Sequence, residues 1–159
     1  MKPHAPITLQ EVYDAQNRIK GAAIRTPLVR LNVDDPDRGI YLKLENLQPI
    51  GSFKLRGAVN AMRAADPKTL EAGVWTASTG NMAQGVAWGA REMGLKCTVV
   101  VPDNAPASKL AAIGELGAGI IKIPRDDWFN LILYTHEHPG MEGLFIHPAS
   151  NREVMAGRG

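Results

Sequence analysis

The spacing of apolar and polar positions changes several times along this chain, and each change marks an element. Leu9, Val12, Tyr13, Ala15, Gln16 and Ile19 recur at a mostly helical period. Thr8-Leu9-Gln10-Glu11 opens that run as a capping box, with Thr8 at the N-cap, and Gly21 fits its end. Thr26-Pro27-Leu28-Val29-Arg30-Leu31 predicts a short extended segment. Asp34 to Gly39 is a turn by composition, and Ile40-Tyr41-Leu42-Lys43-Leu44 alternates as a strand does. Pro49 and Gly51 break structure, and Ser52 can cap the helix behind them. Leu55, Ala58, Val59 and Met62 space that helix's apolar face until Asp66-Pro67 ends it.

From Val74 onward strand and helix alternate. Val74-Trp75-Thr76-Ala77, Thr98 to Val101, Ile120-Ile121-Lys122-Ile123 and Leu144-Phe145-Ile146 predict strands. Asn81 to about Met93, Pro106 to about Leu116 and Arg125 to about His136 predict helices, with Gly94 and Gly117 after the first two. Such alternation implies right-handed crossovers and a parallel sheet with helices on both faces, an α/β fold. The uninterrupted apolar strands agree with burial on both sides. Asn151 to Met155 reads as the start of another helix.

Composition narrows the function classes. A length of 159 residues is enough for a real core, and a net charge of +2 gives no reason to invoke nucleic acid or membrane. No uninterrupted apolar run approaches the ~20 residues of a membrane span, and Met1-Lys2-Pro3-His4 lacks a signal peptide's apolar stretch, so cytoplasm is the default expectation. Cys97, the one cysteine, excludes an internal disulfide and opens an apolar run, so it reads as a buried strand residue. His136 and His138 stand two apart, off any common helix face, and suggest no metal site. Trp75, Trp88 and Trp128 read as core or edge aromatics.

Two stretches carry chemistry. Gln48-Pro49-Ile50-Gly51-Ser52-Phe53-Lys54-Leu55-Arg56-Gly57-Ala58 puts Lys54 just inside a helix start, where the helix dipole disfavours a cation. That dipole, with desolvation, lowers an amine's pKa and favours its nucleophilic form. Ala77-Ser78-Thr79-Gly80-Asn81-Met82-Ala83-Gln84-Gly85 offers backbone N–H groups at a second helix start, which suit an anion. No Gly-x-Gly-x-x-Gly is present, so a dinucleotide phosphate is disfavoured. A reactive amine facing an anion cradle suits chemistry on an amino acid held by pyridoxal phosphate (PLP).

The two stretches together, in this order, resemble the fold-type II PLP enzymes, and within them the threonine/serine dehydratase branch. Glu45-Asn46-Leu47-Gln48, Val100-Val101-Pro102 and His147-Pro148 extend the resemblance from about Thr26 to the end. It implies a tryptophan synthase β-like fold, with residues 46 to 148 as a small domain. Residues 1 to 45 and 149 to 159 would belong to an incomplete, larger second domain. It implies that Lys54 binds PLP, that Phe53 packs beside the cofactor ring and that Asn81 hydrogen-bonds the ring hydroxyl. Ser78, Thr79, Gly80, Asn81 and Met82 would offer N–H groups to the substrate carboxylate.

The implied reaction is elimination of water from L-threonine or L-serine, a lyase step giving a 2-oxo acid and ammonia. Isoleucine biosynthesis is among the roles it brings, and a homo-oligomer is implied for the complete enzyme. The family's glycine-rich phosphate loop and pyridine-nitrogen partner are expected beyond residue 159, so this chain alone is expected to be inactive. A serine racemase of the same family and a non-catalytic folded fragment are the alternatives. Thr79 stands where those racemases carry an acid/base serine, and Met82 where many relatives carry histidine. Ile50 replaces the threonine common in the lysine loop, and the Ser-Val-Lys-Asp run of the cysteine synthases is absent.

Overall fold

The structure is a computed structural model and describes residues 5–32 and 39–159. The stretch Met1-Lys2-Pro3-His4 and residues 34 to 38 of the expected turn lie outside the described residues.

Helix α1 (Leu9–Arg18) begins on the predicted capping box, in which the Thr8 hydroxyl accepts from the Glu11 amide and the Glu11 carboxylate accepts from the Thr8 amide. Arg152 donates to the same carboxylate through Nη2 at 2.8 Å, across 141 residues of chain. The Arg152 hydrogen bond, followed by those from Thr8, lowers the Glu11 pKa to about 2. Strands β1 (Leu28–Arg30) and β2 (Tyr41–Lys43) pair antiparallel with Val29 opposite Leu42, and every residue of both is exposed.

Helix α2 (Lys54–Ala64) buries the face read from the sequence: Leu55, Ala58, Val59 and Met62 are all buried. Asp66 does more than end it. Its side chain accepts from the Lys68 amide and caps an extra turn, α3 (Pro67–Leu70).

Strands β3 (Val74–Ala77), β4 (Cys97–Pro102), β5 (Gly119–Ile123) and β6 (Leu144–Phe145) form a parallel sheet in the order β5-β4-β3-β6. Side chains alternate between its faces, as the pleat requires. On one face Val74, Val99 and Val101 pack under α4 (Asn81–Glu92) and α5 (Ala107–Gly114). On the other, Trp75, Ala77 and Val100 meet α6 (Arg125–Asn130) and the segment after it. There the Trp128 indole N–H donates to the Val100 carbonyl at 3.0 Å. Burial pushes the Cys97 thiol pKa up to about 12, so it stays protonated and acts as a strand residue.

The α6 pattern was expected to run to His136 as one helix. Instead the chain widens into a π-helical segment, Leu131–Thr135, in which the His136 amide bonds the Leu131 carbonyl at 2.9 Å. That pairing frees the Ile132 carbonyl, which bonds the imidazoles of His136 at 2.9 Å and His147 at 3.0 Å. His136 then stops the helix with φ 56.

Helix α7 (Arg152–Ala156) is capped by Asn151, whose Oδ1 accepts from the Val154 amide at 2.9 Å. It lies against α2 at a glycine contact. A Cβ at Gly57 would sit 2.6 Å from the Val154 carbonyl oxygen, and one at Gly157 would sit 2.9 Å from the Gly57 Cα.

Candidate functional site

Lys54 is the first residue of α2, behind a turn in which Gly51 takes φ 66, a conformation most side chains resist. The Ser52 hydroxyl accepts from the Lys54 amide at 3.3 Å, while Phe53 occupies the N-cap without a side-chain bond. Ser52 therefore caps from one position further out than a simple N-cap. The Lys54 Nζ stands 5.2 Å from the centre of the Phe53 ring, which is 43% exposed. Burial, then the charge of Arg158, lowers the Lys54 pKa, so more of the amine is neutral than an ordinary lysine allows.

The second stretch continues β3 into α4. Gly80 is the N-cap of α4, and the Gln84 amide makes the first backbone bond, to the Gly80 carbonyl at 3.2 Å. The amides of Asn81, Met82 and Ala83 therefore open outward at the helix start with no acceptor among the described residues. The Gly80 amide meets the Ser78 hydroxyl at 3.3 Å. Ser78 and Thr79 are half-buried and Asn81 is exposed. The Met82 side chain is buried, so only its backbone faces the helix start.

Gly85 brings the two stretches side by side. A Cβ there would stand 3.3 Å from the Lys54 carbonyl oxygen and 3.4 Å from the Leu55 amide nitrogen. The second turn of α4 thus adjoins the first turn of α2, and Phe53, Lys54, Ser78, Thr79, Gly80, Asn81 and Met82 lie at the N-terminal ends of these two adjoining helices. Glu45 holds this end in place. Arg56, in the first turn of α2, bonds it through Nε and Nη2, both at 2.8 Å, and bonds the Ile24 carbonyl as well. The Arg56 bond leads the forces that lower the Glu45 pKa to about 2, with Thr26 and Gln48 adding hydrogen bonds.

Arg158 was not anticipated. Its guanidinium carbon lies 5.9 Å from the Phe53 ring centre, and its Nη2 donates to the Pro148 carbonyl at 2.8 Å beside the Met82 sulfur. Gly157-Arg158-Gly159 carries no pattern that would announce this, because the contact spans about a hundred residues of chain. Phe53 and Arg158 line a cavity of about 510 Å³ that reaches α1 at Tyr13 and Gln16. Another cavity, about 800 Å³, lies on the opposite sheet face at Trp75, His136 and Phe145 and contains none of these residues.

The arrangement fits an aldehyde cofactor with a flat ring and an anionic group. Lys54 supplies a partly desolvated amine with no carboxylate partner among the described residues, Phe53 an exposed ring face, and Asn81 a free carboxamide. Among the described residues no group of three or more His, Cys, Asp or Glu is placed to hold a metal ion, and no helix is long and apolar enough to cross a membrane.

Fold and site together define an α/β protein with a partly desolvated lysine amine set against the open start of a neighbouring helix. Comparison with known proteins is specific. The family described as pyridoxal-phosphate dependent enzyme matches residues 19–159. The chain is 40% identical to L-threonine ammonia-lyase of Thermotoga maritima over 96% of its own length and 39% of that protein's. It is 39% identical to L-threo-3-hydroxyaspartate ammonia-lyase of a Pseudomonas species, over 94% of this chain and 47% of the relative. The crystal structure of serine racemase from Dictyostelium discoideum superimposes with a TM-score of 0.81 at 35% identity, covering 96% of this chain and 50% of that one. The chain belongs to the fold-type II family of PLP-dependent enzymes, and it spans half or less of the length of these relatives.

Proposed function

We propose that this chain is the lysine-bearing part of a PLP-dependent ammonia-lyase that eliminates water from L-threonine or L-serine. The observation that carries the reading is the Lys54 amine, without a carboxylate partner among the described residues and set beside Phe53 next to the open start of α4. Residues 46 to 148 are assigned to the small domain. Residues 1 to 45 and 149 to 159 are assigned to a larger domain completed by the rest of the protein.

Lys54, Phe53 and Asn81 would hold the cofactor, through the amine, the ring face and the carboxamide. Bound PLP supplies an electron sink for charge developing at the substrate α-carbon. The chain's own groups do the remainder. The amides at the start of α4, with Ser78, Thr79 and Gly80 leading into them, orient the substrate carboxylate. Burial and the charge of Arg158 lower the Lys54 pKa, which favours the neutral Nζ that takes the α-proton. Loss of the β-hydroxyl then gives a product that hydrolyses to a 2-oxo acid and ammonia.

Racemisation of serine is the second reading, favoured by the likeness to the Dictyostelium structure. The residue that weighs against it is Thr79, whose methyl crowds the position where a serine hydroxyl would return the proton to the opposite face. Chiral chromatography of products from the full-length enzyme carrying these residues decides between them. The reading predicts 2-oxo acid forming faster than D-amino acid, with Thr79→Ser raising racemisation. D-amino acid forming faster would reverse the assignment.

A further inference from the structure

Among the described residues three arginines that bridge elements meet carboxylates, while Arg63 bonds the carbonyls of Arg18 and Lys20 from an exposed position. Arg56 pairs with Glu45, Arg152 with Glu11 and Arg18 with Glu153. Arg158 differs from all of these in being partly buried without a carboxylate. Its partners are neutral: the Pro148 carbonyl, the Met82 sulfur and the face of Phe53. Its Nε is buried against α2 without an acceptor among the described residues. The guanidinium is half-buried, and burial lowers its pKa.

A cation that has lost part of its hydration without a counter-charge is costly to keep. Here a second cation makes the cost larger, because Lys54 stands over the same Phe53 ring. Neither makes an ion pair among the described residues, and Glu45, the carboxylate lining the same cavity, is already paired with Arg56. The α4 start beside them adds further positive potential through the amides of Asn81, Met82 and Ala83. Among the described residues Nη1 has no hydrogen-bond partner, and Arg158 lines the 510 Å³ cavity, so an incoming group can reach it.

We infer that Arg158 is an anion-binding residue of this site, supplying the counter-charge for a phosphate or carboxylate group held beside Lys54. The inference rests on the proposed PLP site and adds a residue to it. Guanidinium suits the task because its planar donors match a phosphate or carboxylate edge. The two sources of the anion are the cofactor's phosphate and a carboxylate of the substrate, including the second carboxylate of an acidic hydroxy amino acid. Each would relieve the repulsion between Arg158 and Lys54.

The test is nuclear magnetic resonance of the ¹⁵N-labelled chain. The Arg158 Nε–H signal is assigned by its loss in Arg158→Gln, and inorganic phosphate, malonate and acetate are then titrated. The inference predicts saturable movement of that signal with phosphate or malonate, at least tenfold weaker anion binding in Arg158→Gln, and partial recovery in Arg158→Lys. Tighter response to phosphate assigns the cofactor's phosphate, and tighter response to malonate assigns a substrate carboxylate. An Arg158 signal that none of the anions moves overturns the inference, as does unchanged affinity in an Arg158→Gln chain whose amide spectrum is native. Borohydride fixation of PLP is run beside it. PLP fixed on Lys54 with an unresponsive Arg158 defeats this inference alone, whereas a responsive Arg158 with no PLP on Lys54 defeats the PLP reading and leaves the anion site.

Discussion

Strand β4 and the β1–β2 ribbon are built from similar residues yet live in different surroundings. In β4, Val99, Val100 and Val101 are wholly buried between helices on the two sheet faces. In the ribbon, Leu28 is 63% exposed and Tyr41 58% exposed, with Leu31, Ile40 and Leu42 also exposed. Runs such as Leu28-Val29-Arg30-Leu31 form a strand by local preference alone, but of the two only β4 is covered among the described residues. The difference lies in packing: helices cover both faces of β4, whereas the ribbon leaves its apolar side chains open to solvent.

The widest separation is expected from truncating one side chain on each side. Ile113→Ala removes a fully buried residue that α5 packs onto β4, and should cost about 2–5 kcal/mol in urea denaturation. Leu28→Ala should stay within about 0.5 kcal/mol, because its side chain already meets solvent. Equal losses would mean that the ribbon is packed in solution, through self-association or otherwise.

The glycine contact between α2 and α7 sharpens the comparison next. Gly57→Ala places a methyl carbon 2.6 Å from the Val154 carbonyl oxygen, a backbone atom with little freedom to move. Overpacking of this kind costs about 1–3 kcal/mol, readable in the same denaturation curves. An unchanged midpoint would show that α7 is not seated on α2.

A smaller effect is expected where ribbon and lysine helix are joined. Glu45→Gln should cost about 1 kcal/mol at pH 7, the low end for hydrogen bonds to charged groups, since this pair is partly open to solvent. The Glu45 pKa is lowered on folding from 4.5 to about 2. Its contribution is therefore complete above about pH 4.5 and is lost as pH falls toward 2, so the wild-type and Glu45→Gln stabilities should converge over that window. A gap that persists at low pH would assign the loss to packing rather than charge.

How much of this was legible in the sequence depended on the range of the cause. Thr8 and Glu11 act within one turn, so their capping box was readable, as were the buried face of α2 and the strand–helix alternation. Ser52 was nearly right, displaced by one residue because Phe53 already takes helical angles. The π-helical stretch at Leu131–Thr135 was not readable. It depends on His147 reaching the Ile132 carbonyl from 15 residues away. The pairing of β1 with β2 and the capped turn at Pro67–Leu70 were missed for lack of a distinctive local signal. At the site, Lys54 and the Ser78 to Met82 stretch were visible as motifs. Gly85's part in setting them side by side appears only once α2 and α4 are packed, and Arg158 reaches Phe53 only through α7.

The account rests on Lys54 as the lysine that binds PLP, and reduction followed by peptide mapping tests it most directly. The chain is incubated with PLP, reduced with borohydride and digested. Phosphopyridoxyl label is predicted on Lys54, abolished in Lys54→Ala, with loose PLP affinity and no sustained 2-oxo acid release from these 159 residues alone. Label confined to Lys43, Lys96 or Lys109, with Lys54 unmodified, would contradict it.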